Sequence, residues 1–102
     1  MIREVTAEDF QTEIQNGVTV ADFFSPTCGP CKMLDVVLKE IDRANPSLHI
    51  IKLNAVENRS LADSYQVLGY PTLAVFREGR ELSRLVGLQP RETIEKAILL
   101  AP

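Results

Sequence analysis

"SPTCGPCKM" (Ser25–Met33) carries both cysteines of a 102-residue chain, Cys28 and Cys31, with two residues between them. The segment before it, "VTVADFF" (18–24), is rich in β-branched and aromatic residues and predicts a buried strand. The segment after it places Leu34, Val37, Leu38 and Ile41 at i, i+3, i+4 and i+7, one face of a helix that Asn45-Pro46 closes. The pair therefore lies where a buried strand turns into a helix. It is a structural staple, half of a metal site or a reactive dithiol, and that choice decides the function.

Outward from this junction, Ile2–Val5 predicts a short opening strand and "TAEDFQTEIQNG" (6–17) a helix. Thr6 is its N-cap, Ala7, Phe10 and Ile14 share one face, and Gly17 supplies the stop. Toward the C-terminus "HIIKL" (49–53) predicts a strand, and "RSLADSYQV" (59–67) surrounds a short helix with Asn58 as N-cap. "PTLAVF" (71–76) and "RELSRLVG" (80–87) flank Glu78-Gly79 as an antiparallel hairpin. A last helix follows Pro90, with Ile94, Ala97, Ile98 and Ala101 on one side and Glu92–Lys96 as a solvated i, i+4 pair. The order β-α-β-α-β-α-β-β-α predicts the α/β class: a central mixed five-stranded sheet with four helices on its two faces. Residues 1–102 are expected to form a single domain, with Phe23, Phe24 and Phe76 in its core. His49 is expected as a surface residue at a strand end.

Composition removes several function classes. Eleven basic against fourteen acidic side chains give a net charge of −3 with no basic block, which argues against broad nucleic-acid binding. No apolar run approaches the roughly eighteen residues that span a membrane. The opening "MIREVTAEDF" has neither a basic n-region nor an apolar h-region. The expectation is a complete chain without a secretory signal, made for the cytoplasm and monomeric. Disulfides in a reducing compartment are usually transient and catalytic.

The three readings of the cysteines differ in physical support. A bridge closing a loop of four residues restrains the unfolded chain by about 2 kcal/mol, against about 3 for fifteen residues, so it is a poor staple. Zinc wants four ligands, and beyond the pair the sequence offers only His49; a metal would need a second chain. The redox reading has positive support. A thiolate at a helix mouth meets free N–H groups and the positive end of the helix dipole, which lower its pKa, and the thiolate is the nucleophile. Pro30 suits the first turn because it needs no N–H partner there. Gly29 lets another chain approach closely. Cys31, one turn on, is near enough to resolve a mixed disulfide.

"ADFFSPTCGPCKM", "IIKLNAVEN", "GYPTLAVFREG" and "LVGL" stand in the order and approximate spacing of the thioredoxin family, which the chain resembles over nearly its whole length. Of the family motif W-C-G-P-C-K, five of six positions match. The resemblance implies the thioredoxin fold and reduction of protein disulfides by dithiol-disulfide exchange. By it, Cys28 is the exposed nucleophile and Cys31 the buried resolving thiol. Asp22, which alone would read as an edge or turn carboxylate, matches the buried aspartate that handles the proton of the resolving cysteine. Burial should raise its pKa toward neutrality. Lys52, otherwise a solvated edge charge, matches the lysine beside that carboxylate. Pro71 matches a cis-proline facing the cysteines, which leaves Tyr70 to offer backbone pairing to an extended substrate. Thr27, Gly29, Pro30, Tyr70, Pro71, Val86, Gly87 and Leu88 would form the docking surface. The implied partners are disulfide-containing target proteins and a flavin-containing thioredoxin reductase. No cofactor or metal is implied, because the Cys28–Cys31 redox-active disulfide itself carries two electrons.

Four positions depart from the family pattern. Thr27 stands where tryptophan is usual, and the chain has no Trp. Val36 replaces a proline that kinks the helix, Tyr70 an aliphatic residue before the cis-proline, and Val56 a common acidic residue. They bear on substrate range, reductase recognition and potential, and they keep two alternatives open: a specialised relative with a dedicated partner or a more oxidising potential, and a non-redox scaffold subunit. The Gly-Pro dipeptide between the cysteines favours a reductant.

Overall fold

A computed structural model describes residues 1–99. Its elements are β1 (Ile2–Val5), α1 (Ala7–Glu13), β2 (Val18–Phe24), α2 (Gly29–Ala44), β3 (His49–Asn54), α3 (Arg59–Ser64), β4 (Thr72–Arg77), β5 (Arg80–Val86) and α4 (Arg91–Leu99). The order is the one the sequence predicts. Ala101, expected on the inner face of the last helix, lies outside the described residues.

The strands form one five-stranded sheet in the order β1-β3-β2-β4-β5. β1 and β2 each run parallel to β3, whereas β4 is antiparallel to both β2 and β5. Parallel neighbours need crossover connections, which α1 and α2 provide. The helices cover both faces, which is why β2 reads as a continuous apolar run rather than an alternating one. On one face Phe10 and Ile14 meet Ala21, Phe23, Ile51, Leu53 and Phe76. On the other, Leu34, Leu38 and Ile41 of α2 and Ile94 of α4 pack on Val20, Ile50 and Leu73. Alternation along β2 thus sends Ala21 and Phe23 to the first core and Val20 to the second, and by the same period of two Asp22 points toward α2.

Several local expectations are revised by long-range contacts. α1 ends at Glu13, with Ile14 as its C-cap, one turn before the Gly17 stop. Thr6 occupies the N-cap position without a side-chain bond. The Ala7 N–H instead donates to Asn58 Oδ1 at 2.9 Å, and Asn58 Nδ2 donates to the Asn54 carbonyl at 2.9 Å. Asn58 does stand at the N-cap of α3, but its side chain caps no N–H of that helix; it cross-links α1 to the loop after β3. Phe24 is half-buried, not core, because it ends β2 and the Lys52 ammonium lies 4.6 Å from its ring centroid. Among the described residues, the ion pair along α4 is Arg91–Glu95 at 3.4 Å, one position before the Glu92–Lys96 pair. The hairpin is as predicted, with Glu78 and Gly79 both at positive φ, 49° and 84°, the conformation a two-residue turn needs to match strand twist.

Phe10 lies 5.4–5.7 Å, centroid to centroid, from Phe23, Tyr65 and Phe76. Phe10→Ala is therefore expected to cost about 3–5 kcal/mol. Asn58→Ala, which takes the acceptor from the Ala7 N–H and one of two donors from the Asn54 carbonyl, should cost about 1–2 kcal/mol. Urea unfolding checks both: the midpoint falls and the slope stays unchanged.

Candidate active site: a disulfide above a buried carboxylate

β2 stops at Phe24, and α2 starts at Gly29 with Pro30 in its first turn. Cys28 is the N-cap of α2, in extended conformation at φ −94° and ψ 114°. Cys28 and Cys31 are joined in a disulfide with Cα atoms 5.2 Å apart. Position N3 of a helix can reach back to its cap, and here the Cys31 N–H donates to Cys28 Sγ at 3.1 Å. The sulfur takes the place usually held by a Ser or Asp oxygen. Negative charge on that sulfur would be favoured by the N–H and by the helix dipole together. The two cysteines differ in access: Cys28 is half-buried, and Cys31 is 3% exposed. A Cβ placed on Gly29 would meet nothing within 4 Å, so the face beside the disulfide is open.

Asp22 is fully buried, and neither carboxylate oxygen meets a hydrogen-bond donor among the described residues. Its cross-strand neighbours are Lys52 on β3 and Leu73 on β4. Burial without a donor penalises the anion, and the carboxyl pKa rises from its ordinary 3.8 to about 7. The Lys52 charge pulls it down and the Asp35 charge pushes it up, both more weakly than burial.

Lys52 stands beside Asp22 in register, as expected, but its ammonium is engaged elsewhere. Nζ sits 2.7 Å from Asp35 Oδ1 on α2 and over the Phe24 ring. Asp35 was absent from the sequence reading. Its signal was its place one turn beyond Cys31 on the same side of α2, next to the apolar stripe. His49 starts β3 and contacts Glu13 at 2.9 Å. It sits at the opposite end of that strand from Asn54, which pairs with Phe24 near the cysteines.

The third segment of the site is the start of β4. Tyr70-Pro71 is a cis peptide bond, and Pro71 is buried. Thr72 pairs with Phe23 on one side and Val86 on the other, so the β2 exit, the β4 entry and the β5 exit share one end of the sheet. The Gly87 N–H donates to the Pro71 carbonyl at 2.7 Å, and Gly87 has φ +83°, a conformation that favours glycine. Val86 and Leu88 are exposed and Tyr70 is half-buried. Thr27 is exposed, its hydroxyl 3.4 Å from that of Ser25. Leu68, which the sequence reading passed over, is 96% exposed two residues before Tyr70. Among the described residues no three His, Cys, Asp or Glu side chains cluster as metal ligands, and no helix is long and apolar enough to cross a membrane.

Comparison with known proteins agrees with this geometry. The thioredoxin family model matches residues 1–99. A thioredoxin of Staphylococcus epidermidis is 40% identical over 98 residues, covering 95% of this chain and 94% of the relative. A thioredoxin of Chlamydia pneumoniae is 37% identical over 98 residues, 96% of each chain. The oxidized mitochondrial thioredoxin 3 of Saccharomyces cerevisiae superposes with a TM-score of 0.86 at 27% identity, covering 96% of this chain and 93% of that one. A mutant thioredoxin from Halobacterium salinarum gives 0.84 at 33% identity, covering 95% and 87%. Sheet order, cysteine spacing and relatives converge along nearly the full length: the chain belongs to the thioredoxin family and is a thiol–disulfide oxidoreductase, with protein-disulfide reduction as its general activity.

Proposed function

We propose that Cys28 is the attacking thiolate, Cys31 the resolving thiol and Asp22 the group that takes and returns the Cys31 proton. The observation that carries this reading is the unequal access of the two sulfurs at one helix mouth. In the reduced protein the Cys28 thiolate attacks one sulfur of a target disulfide, forming a mixed disulfide and releasing a target thiolate that picks up a proton. Cys31 then loses its proton to ionised Asp22, which lies on the side of β2 that α2 covers. The Cys31 thiolate attacks Cys28 Sγ, breaking the mixed disulfide, and the expelled target thiolate takes the proton back from Asp22. Two electrons pass to the target, and the Cys28–Cys31 pair is left oxidised.

An extended target segment would pair with the Tyr70 backbone beside Pro71 and rest on Thr27, Gly29, Pro30, Val86, Gly87 and Leu88. Support for this surface comes from the shared sheet end and the exposure of its apolar members. Lys52 tunes Asp22. A flavin-containing thioredoxin reductase recharges the pair, and the protein acts as a single-domain monomer in the cytoplasm.

In a coupled assay with an NADPH-dependent flavin reductase and a disulfide protein, Cys28→Ser should abolish turnover. Cys31→Ser should accumulate a covalent adduct with the target, visible by mass. An adduct formed as fast by Cys28→Ser through Cys31 would reverse the two roles.

Asp22 gives a pH signature with a definite sign. Between pH 3.8 and about 7 the folded carboxyl keeps a proton that the unfolded one has released. The unfolded state binds fewer protons there, so stability falls as pH rises through that window and the penalty is complete above it. The whole effect is about 4 kcal/mol. Asp22→Asn should therefore flatten the difference in stability of the oxidised protein between pH 4 and 8, measured by denaturant unfolding. In the reduced protein it should slow adduct resolution about 10²-fold, the ordinary contribution of a general base.

A further inference from the structure

Asp22 lies beneath α2, and the cation that acts on it, Lys52, is held by another carboxylate. The Lys52 side chain is 19% exposed and that of Asp35 32%, so their 2.7 Å pair is only partly screened by solvent. We propose that Asp35 is a positioning residue, which sets the proton affinity of Asp22 by drawing the Lys52 ammonium onto α2 and away from the buried carboxylate.

The groups that face this part of the sheet are few. From β3 comes Lys52, next to Asp22 in register, and from β1 the exposed Glu4, next to Lys52 in register. α2 contributes Cys31 and Asp35, and Lys39, Asp42 and the Met1 ammonium, itself paired with Asp42, line the same cavity of about 460 Å³ with Asp35 and Lys52. Leu73 of β4 and Ile94 of α4, packed on the same face, carry no charge. One ammonium is thus offered to a buried carboxylate with no other donor and to a half-buried one on the covering helix. Its four-carbon stem can serve either. Were the ammonium on Asp22, that carboxyl would release its proton more readily. With Asp35 in possession, Asp22 keeps the higher proton affinity. The Asp35 charge adds a direct repulsion of the same sign.

Asp35→Asn removes both effects at once: the repulsion disappears and Lys52 is free to turn to Asp22. The carboxyl of Asp22, followed by carbon NMR on isotopically labelled protein, should then titrate about one pH unit lower, a tenfold loss of proton affinity. Lys52→Gln should shift it upward, and in that background Asp35→Asn should have a clearly smaller effect, because the ammonium it would free is gone. A merely structural ion pair would lower stability slightly and leave the Asp22 titration in place; an unmoved titration, or equal shifts with and without Lys52, overturns the proposal. The inference rests on the proton-handling role of Asp22 only for its kinetic consequence, a matching shift in the pH profile of adduct resolution. If the titration moves and the profile does not, the Asp35 inference stands and the role assigned to Asp22 falls.

Discussion

Strand β2 is hydrogen-bonded along both edges, to β3 and to β4, and its side chains alternate between two closed cores. That placement constrains everything else at the site. A slip of one residue would drive Asp22 into the aromatic cluster around Phe10 and lift Phe23 under α2. Phe23 has a fitted place between Phe10 and Tyr65, at 5.6 and 6.1 Å between centroids, and such packing does not tolerate a carboxylate. The aromatic core on one face thus keeps the carboxylate on the other. It also fixes where β2 ends, and hence where α2 begins and Cys28 becomes a helix cap.

Burial of Asp22 opposes stability at neutral pH, and in the proposed mechanism it would serve chemistry for the same reason. A carboxyl in water is ionised at pH 7 and a weak proton acceptor; one raised to about 7 exchanges protons with a thiol at little energetic expense. The fold carries the penalty because both surrounding cores are dense and continuous. Lys52, paired with Asp35, offsets part of it, and the Asp35 charge acts the other way.

What the sequence made legible was local. The run 18–24, the cysteine pair and the apolar stripe of α2 each carry their own periodicity or turn chemistry, so order, sheet type and the position of the dithiol could be read directly. The cis bond at Pro71 and the neighbourhood of Asp22 and Lys52 came from family resemblance, because neither has a local signature. Features decided by partners far along the chain escaped. Asn58 looks like an ordinary N-cap until it is seen to accept from Ala7, fifty-one residues away. Phe24 looks like core until β2 is known to end there under a lysine. Asp35 looks like a solvated helix residue until β3 brings Lys52 to it.

The division between local and distant information also separates chemistry from tuning. The dithiol needs a strand end, a helix start and two residues between cysteines, all within one short stretch. The proton transfer proposed for it would depend on charges from β2, β3 and α2 that no single stretch contains. The rim around it is spread further still, over Thr27, Tyr70 and the Val86–Leu88 turn, with Val86 55% and Leu88 39% exposed. Tyr70 packs against the aromatic core, whereas Thr27, Val86 and Leu88 are exposed. On the proposed docking surface, substitutions at the exposed positions would change which partner docks with little effect on the sheet. Thr27, exposed where the family usually carries tryptophan, is the plainest case: its side chain belongs to neither core, so in the proposed docking surface its effect would fall on partner choice.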